Sequence, residues 1–144
     1  MADECLICEK HAGRGELLAP MVWADESVVV THRGADPTGY GPLGYLFVET
    51  RRHVESWDAM EPDEVAIVAH TAWAAARALR AELPVEHVFT AIVGRRVPHF
   101  HQHVFARFRG TPSEVDWLES PLVAPERSAS EIAEFATRLS RYFT

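Results

Sequence analysis

The spacing of hydrophobic residues predicts five strands in this chain. Each is a short run rich in β-branched or aromatic residues and bounded by turn-forming residues, as is typical of strands. The polar residues 25–27 between the first two runs predict a hairpin, the Gly and Pro residues of 33–43 predict a loop, and the mostly polar residues 1–20 predict an irregular segment. The predicted strands cover residues 22–24, 28–31, 44–49, 87–93 and 99–108.

Two further segments have helical spacing. Pro62 suits the first position of a helix, apolar residues recur at three- and four-residue intervals over 65–79, and Pro84 ends the pattern. Ser128 and Glu131 have the spacing of a capping box at the start of a second helix. The apolar face of that helix comprises Ile132, Phe135, Leu139 and Phe143. Neighbouring strands with one central and one terminal helix predict an α+β fold, an antiparallel five-stranded sheet with helices packed on it.

Composition and charge narrow the possible functions. With 144 residues, 47% of them hydrophobic, the chain has the size of one domain, and we expect a single domain over 1–144. Fourteen Lys and Arg against 21 Asp and Glu give a net charge of -7, which argues against a nucleic-acid or anionic membrane partner. The first residues show no signal-peptide pattern and no later run is long enough to span a bilayer, so we expect a cytoplasmic protein.

Three of the eight histidines, His99, His101 and His103, lie within five residues. On a strand, residues two apart point to the same face at a spacing of about 6–7 Å, so the three imidazoles are expected to share one face. The alternative interpretation is a surface strand that is merely rich in histidine. Because imidazole changes charge near neutral pH, such a row can supply a nucleophile, a proton donor and a metal ligand.

The two cysteines, Cys5 and Cys8, form a Cys-x-x-Cys pair near the N-terminus. In a reducing compartment this spacing indicates metal ligands or a redox pair before a disulfide. A redox pair normally opens a helix after a strand, which this segment does not, so a metal site is favoured over a redox pair or two unpaired thiols. A structural zinc site needs four N or S ligands, and the pair supplies two.

The pattern His99-x-His101-x-His103 resembles the signature of the histidine-triad (HIT) superfamily. The turn 51–53 (Arg-Arg-His) and the continuation 103–107 that ends in Arg resemble the flanking elements of these proteins, and the order of the elements matches as well. The resemblance covers about residues 5–112, and the helical segment 128–143 lies outside it. It implies a HIT-like fold, and homodimers that form through the long helix and an edge strand.

The resemblance also implies roles for individual residues. The middle histidine, His101, is the nucleophile, and His103 is a candidate for holding or protonating phosphate oxygens. In galactose-1-phosphate uridylyltransferases and some bacterial HIT proteins, a histidine of the basic turn and the first triad histidine bind zinc. The implied structural zinc site is therefore Cys5, Cys8, His53 and His99, although His11 could replace one of these ligands.

Several positions depart from the family pattern. The Asn and Gln-Ser donors that usually precede the triad are absent, and Arg95 and Arg96 stand there instead, either as phosphate ligands or as a solvated basic turn. The ribose-binding carboxylate is absent as well, since Thr-His-Arg occupies 31–33. Trp23 either stacks on a base or packs in the core, and Gln102 is a further candidate for substrate binding.

The expected function is that of a HIT-type nucleotidyl hydrolase or transferase. His101 would attack the α-phosphate of a dinucleoside polyphosphate, a nucleoside phosphoramidate or a nucleotide sugar and form a covalent nucleotidyl-histidine. The first alternative is a catalytically weak, zinc-stabilised nucleotide-binding module. The second is a metal-dependent hydrolase in which all three triad histidines bind one ion, but the outer two would lie roughly 13 Å apart on a flat strand.

Overall fold

A five-stranded antiparallel sheet is the centre of the fold in the computed structural model, which describes residues 4–144. The strand order is β1-β2-β4-β6-β5, so that β4 and β6 lie inside the sheet and β5 forms an edge. All four pairings are antiparallel, as the sequence predicted. The strands are β1 (Met21–Ala24), β2 (Val28–His32), β4 (Tyr45–Thr50), β5 (Val85–Ile92) and β6 (His101–Phe108).

The long helix α2 (Pro62–Glu82) packs across one face of this sheet. It begins at Pro62 with a capping box between Glu61 and Glu64, as expected for a first-turn proline with acidic neighbours. Its alanines between 72 and 78 are largely buried against the core of the sheet, which lets helix and sheet approach closely. These alanines therefore pack against the sheet of the same chain, and they do not support a dimer formed through this helix.

The helix α3 (Ala129–Leu139) begins as the sequence predicted. The Ser128 hydroxyl accepts the backbone N–H of Glu131, and the Glu131 carboxylate accepts the backbone N–H of Ser128. The four apolar residues predicted for this helix face are all buried: Ile132, Phe135, Leu139 and Phe143. None of the helices in residues 4–144 is long and apolar enough to cross a membrane.

Two predictions of irregular structure were wrong. Residues 6–11, expected to be irregular, form the short helix α1 (Leu6–His11), whose first turn is capped by the thiol of Cys5. The predicted loop 33–43 contains β3 (Tyr40–Pro42), which pairs with β7 (Glu126–Ser128) in a separate two-stranded sheet. Tyr-Gly-Pro has little intrinsic strand preference, and only a partner more than 80 residues away makes it a strand.

The predicted strand 99–108 starts two residues late, because β6 begins at His101. The backbone N–H of His99 instead donates to Val97 at 2.8 Å, and that of Phe100 donates to Val54 at 2.7 Å. The alternation of side chains along a strand therefore applies to His101 and His103 but not to His99. The predicted row of imidazoles on one strand therefore consists of His101 and His103, and His99 lies just before the strand.

Strand register separates the side chains of the sheet into two faces. Residues paired across neighbouring strands point to the same face. One row runs from Trp23 through Val30 and Val48 to Gln102, on the face that α2 covers. The adjacent rows, which include Glu49 opposite His101 and Phe47 opposite His103, lie on the other face.

Candidate functional site

Four side chains from three separate segments of the chain meet where β4 ends and β6 begins: Cys5, Cys8, His53 and His99. One potential ligand atom from each lies within 4.8 Å of the others. The Nδ1 atom of His99 is 3.4 Å from both sulfur atoms, and the Nδ1 of His53 is 3.5 Å from the sulfur of Cys8. We call this group the Cys2His2 cluster.

The distances in the Cys2His2 cluster fit a tetrahedral zinc site. With Zn–S bonds of about 2.3 Å and Zn–N bonds of about 2.0–2.1 Å, a sulfur and a nitrogen ligand lie about 3.5 Å apart, and the observed separations are 3.4 and 3.5 Å. The Nε2–H of His99 donates to the carbonyl of Thr50 at 2.7 Å, so its Nδ1 lone pair points to the sulfurs. A backbone acceptor behind a ligating imidazole is the usual way in which proteins orient it.

Burial favours the uncharged forms of two side chains in the Cys2His2 cluster. Burial, together with the neighbouring Cys5, raises the pKa of the Cys8 thiol to about 11. Burial lowers the pKa of His99 to about 4, which keeps this imidazole neutral and able to act as a ligand. Because a bound cation lowers thiol pKa values strongly, it would convert this set into two thiolates and two neutral imidazoles.

His11, the alternative zinc ligand, lies beside the Cys2His2 cluster but not in it. Its Nε2 atom is 2.9 Å from one carboxylate oxygen of Glu49, while the Lys10 ammonium lies 2.6 Å from the other oxygen. Lys10 and Glu49 are buried, and these contacts hold the Glu49 pKa below its usual range although burial alone would raise it. This group could not be predicted from the sequence, because nothing in the spacing links residues 10 and 49.

A cavity of about 590 Å³ opens on the sheet face that α2 leaves uncovered. His101 and His103 line it, together with the aromatic side chains of Tyr45 and Phe47. We call this cavity the histidine pocket. His99 is not among its lining residues, so residues two apart in sequence belong to two different sites.

His101 is held in a defined orientation at the start of β6. Its Nδ1–H donates to the backbone carbonyl of His99 at 2.7 Å. In a neutral imidazole one nitrogen carries the hydrogen and the other has a free lone pair. The Nε2 atom of His101 therefore keeps its lone pair, which is the form that a nucleophilic imidazole requires.

His103 is oriented by Tyr45. The Tyr45 hydroxyl is 2.8 Å from the Nδ1 of His103, and burial raises the pKa of Tyr45, which keeps the phenol protonated. When the hydroxyl donates to Nδ1, the hydrogen of the neutral imidazole lies on Nε2. Burial, with His101 and Arg33 as further causes, lowers the pKa of His103 to about 4, so the imidazole is neutral at pH 7.

The remaining candidate residues are divided between the two faces of the sheet. Arg95 and Arg96, both exposed, line the histidine pocket. Trp23 instead stacks on Phe143 with ring centroids 6.3 Å apart, on the α2 side. Gln102 is buried on that same side, where its amide donates to the hydroxyl of Thr90. The structure therefore does not bring Trp23 or Gln102 to the histidine pocket.

Comparison with known proteins identifies the fold through solved structures. No protein-family model and no curated protein matches the chain. A Zn-bound histidine triad family protein from Mycobacterium smegmatis is similar with a TM-score of 0.71 and 21% identity, over 99% of this chain and 94% of that one. A hypothetical histidine triad nucleotide-binding protein from Sulfolobus tokodaii is similar with a TM-score of 0.73 and 15% identity, over 96% of this chain and 91% of that one. A HIT family protein from Bacillus anthracis is similar with a TM-score of 0.62 and 24% identity, over 75% of this chain and 76% of that one.

The chain thus has the fold of the histidine-triad proteins, and the resemblance drawn from the sequence is confirmed at the level of the fold. The predicted α+β class, with a five-stranded antiparallel sheet, a long helix and a C-terminal helix, is confirmed as well. The Cys2His2 cluster fits the zinc-containing kind of histidine-triad protein, of which the Mycobacterium smegmatis structure is an example.

Proposed function

We propose that this protein is a HIT-type nucleotidyl hydrolase or transferase in a single HIT-like domain, and that it forms a covalent nucleotidyl-His101 intermediate. The observation that carries the proposal is the hydrogen bond from His101 Nδ1 to the carbonyl of His99, which leaves Nε2 free in the histidine pocket. His103 and two arginines line the same cavity. A nucleophile, a hydrogen-bond donor for the leaving group and cations for a phosphate therefore occur together.

In the first step, His101 Nε2 attacks the α-phosphorus of a dinucleoside polyphosphate, a nucleoside phosphoramidate or a nucleotide sugar. A P–N bond forms, and the bond from phosphorus to the leaving oxygen or nitrogen breaks. The neutral His103, with its hydrogen on Nε2, donates a hydrogen bond to the leaving group, which takes up a proton from solvent. In the second step, water or another acceptor attacks phosphorus, the P–N bond breaks, and the acceptor's proton is released to solvent, so that both imidazoles return to their starting forms.

Arg95 and Arg96 are assigned to the phosphate oxygens. They lie in the turn just before the triad, they line the histidine pocket, and neither forms an ion pair within the described residues 4–144. A guanidinium group can bind phosphate oxygens in a bidentate manner, and its charge stabilises the negative charge that develops during transfer. These arginines would replace the neutral donors that the family pattern has in this region.

Zinc is proposed for the Cys2His2 cluster, with Cys5, Cys8, His53 and His99 as ligands. When bound, it supplies a structural link between α1, the turn after β4 and the segment before β6. His99 then connects the two sites, because its imidazole belongs to the cluster while its backbone carbonyl orients His101. An ion shared by all three triad histidines is not supported, because the imidazole of His99 lies in the cluster and outside the pocket.

A binding module without turnover is the second candidate function. It is favoured by the sequence of the turn, where Val-Gly-Arg-Arg-Val-Pro at 93–98 supplies no neutral side-chain donor for a phosphate. In this case the pocket would bind a nucleotide, but no phosphorus would be transferred to His101. The two candidates differ in whether a covalent adduct forms.

The adduct can be sought by mass spectrometry of protein quenched during incubation with diadenosine tetraphosphate and with adenosine phosphoramidate. The proposal expects a mass increase corresponding to adenylate on the peptide that contains His101. The His101→Ala protein, treated identically, should carry none. Saturable nucleotide binding by a protein that never carries an adduct and releases no product would favour the binding module.

A homodimer is proposed as well. The edge strand β5 ends at Ile92, which is 43% exposed, and Val93 directly after it is 57% exposed. Trp73 on the outer side of α2 is 54% exposed. These are apolar residues on the elements that the resemblance implies for dimer formation. Light scattering at micromolar concentration should give about twice the monomer mass of 16.1 kDa, and a monomer mass would contradict the proposal.

A further inference from the structure

Several cationic side chains line the histidine pocket, and they differ in whether an acidic side chain already forms an ion pair with them. Lys10 lines the pocket, but its charge is matched by Glu49 at 2.6 Å. Arg95 and Arg96 lie beside the triad, and the proposed function uses them for the reacting phosphate. Arg33 lines the same pocket, comes from the end of β2, and has no part in that reaction.

Arg33 has a fixed backbone. Its N–H donates to the carbonyl of Tyr45 at 2.8 Å, and its own carbonyl lies 2.8 Å from the Nδ1 of His32. His32 is fully buried, and its Nε2 accepts the backbone N–H of Gly44 at 3.0 Å, so the Nδ1–H is the donor to Arg33. The backbone of Arg33, which carries the side chain, is therefore held by two hydrogen bonds, one of them from a buried imidazole.

The Arg33 guanidinium lies over the ring of Tyr45, with its central carbon 5.3 Å from the ring centroid. Stacking on an aromatic ring limits the motion of a guanidinium while leaving its N–H groups free to bind an anion. Arg33 forms no ion pair within residues 4–144. Asp36, the acid closest in sequence, instead accepts the backbone N–H of Thr38.

Strand register places Arg33 away from the nucleophile. His101 is opposite Glu49, His103 is opposite Phe47, and Arg33 stacks on Tyr45. These three positions of β4 are two residues apart, and the outer two are separated by roughly 13 Å along the strand. The histidine pocket therefore has the nucleophile at one end of this row, His103 in the middle and an unpaired guanidinium at the other end.

We propose that Arg33 forms a second anion-binding site in the histidine pocket, and that the substrate carries a further phosphate or carboxylate group beyond the phosphate that His101 attacks. This inference rests on the proposed function at His101, because it assigns the first anion to that end of the pocket. The exposed carboxylate of Glu16 also lines the cavity and would oppose an anion only weakly, since solvent screens it.

The test compares bisphosphates with monophosphates of the same length. The probes are the bisphosphates of 1,4-butanediol and 1,6-hexanediol, with butyl and hexyl phosphate as matched ligands that carry a single phosphate group, and calorimetry gives the Kd values. At least one bisphosphate should bind the unmodified protein about tenfold to a hundredfold more tightly than its monophosphate, as expected for one added charge-assisted hydrogen-bonded pair. Arg33→Gln should remove this preference and leave monophosphate binding unchanged.

Arg77→Gln is the matched control, because Arg77 is also exposed and stacks on an aromatic ring, at 5.0 Å from Trp73, but does not line the histidine pocket. It should retain the full preference for the bisphosphate. If the unmodified protein shows no preference, or if Arg33→Gln weakens monophosphate and bisphosphate binding equally, the second anion site is wrong. If neither monophosphate shifts the NMR signals of His101, the phosphate site at His101 is wrong instead, and with it the proposed function.

Discussion

His99 and His101 are two residues apart and joined by a hydrogen bond, yet their environments differ in almost every respect. His99 is fully buried, and both of its nitrogens are engaged, one by Thr50 and the other by the two sulfurs of the Cys2His2 cluster. His101 is only partly buried and has one nitrogen free in a cavity. The same side chain thus serves a closed site in one case and an open site in the other, because the backbone turns into a strand between them.

This difference favours a structural role for the closed site and a catalytic role for the open one. A closed set of four N and S donors is typical of structural zinc, whereas catalysis needs an accessible position. The carbonyl of His99 links the sites, because the residue whose imidazole belongs to the Cys2His2 cluster also supplies the acceptor that orients His101. Variants of one site should therefore change stability, and variants of the other should change turnover.

The largest expected effect is on turnover at His101. His101→Ala should reduce kcat by several powers of ten, since no covalent intermediate can form without the imidazole. Thermal denaturation and metal content should stay unchanged, because His101 is not in the Cys2His2 cluster. His70→Ala, which removes an exposed histidine on α2, is the control and should retain full activity. A fully active His101→Ala protein would rule out the proposed mechanism.

Cys8→Ser should produce the opposite pattern, with a loss of bound zinc and of stability together. Removal of one ligand from a structural site should lower the free energy of unfolding by about 3 kcal/mol or more. Metal analysis and thermal denaturation measure the two quantities. A chelator should destabilise the unmodified protein but have little further effect on Cys8→Ser. A variant that still holds a full equivalent of tightly bound zinc would show that the ligands are misassigned.

His32, which belongs neither to the Cys2His2 cluster nor to the lining of the histidine pocket, offers a pH-dependent test of stability. Burial lowers its pKa to about 4, whereas the unfolded chain takes up this proton near pH 6.5. Below pH 6.5 the unfolded state therefore binds more protons, so stability falls as the pH decreases, by about 3 kcal/mol in total when the pH reaches about 4. His32→Gln should be less stable at pH 7 by about 1–3 kcal/mol, through loss of buried hydrogen bonds, yet depend less steeply on pH.

Urea denaturation at pH 7, 5.5 and 4.5 measures this dependence. His99 and His103, whose pKa values are also lowered, contribute equally in both proteins, so the difference between the two curves belongs to His32. His70→Gln, at an exposed position, should follow the curve of the unmodified protein. Parallel curves for His32→Gln and the unmodified protein would contradict the assignment of a neutral, buried His32.

The smallest effect concerns Tyr45 as a positioning residue for His103. Tyr45→Phe should lower kcat about tenfold, because loss of the hydroxyl frees the imidazole to change tautomer. His103→Ala should cost about 10²–10³-fold, as is typical for the loss of one hydrogen-bond donor to charge that develops in the transition state. If Tyr45 acts through His103, adding Tyr45→Phe to His103→Ala should reduce kcat no further. Independent, multiplicative losses would mean that Tyr45 acts by another route.

NMR of the imidazole nitrogens gives a readout that a merely structural role of Tyr45 would not change. In the unmodified protein His103 should carry its hydrogen on Nε2. In Tyr45→Phe the two tautomers should become mixed, while the signals of His101, whose Nδ1 is held by a backbone carbonyl, stay as they were.

Local patterns in the sequence were sufficient for much of the fold and for the identity of the candidate residues. The strands around residues 22–31, the helix after Pro62 and the capping box at Ser128 follow from period, proline placement and cap spacing, all of which act within a few residues. The resemblance, which rests on the triad and the basic turn, supplied the members of the Cys2His2 cluster.

Other features depend on contacts between distant segments and were decided only by the tertiary structure. Strand β3 exists because β7 pairs with it, and the sequence of β3 alone has little strand preference. The buried pair of Lys10 and Glu49 joins residues 39 apart, which no periodicity could reveal. The positions of Trp23 and Gln102 on the α2 face depend on strand register, since a shift of one residue moves a side chain to the opposite face.

The environment of each histidine likewise could not be predicted from the sequence alone. The sequence alone placed three imidazoles within five residues and gave the chemistry that they can perform. It could not show that the backbone of His99 bonds to Val97 rather than continuing the strand, nor that Tyr45 and Arg33 meet at the far end of the pocket. Residue type determines which reactions are available, whereas burial, tautomer and charge arise from groups that only the folded chain brings together.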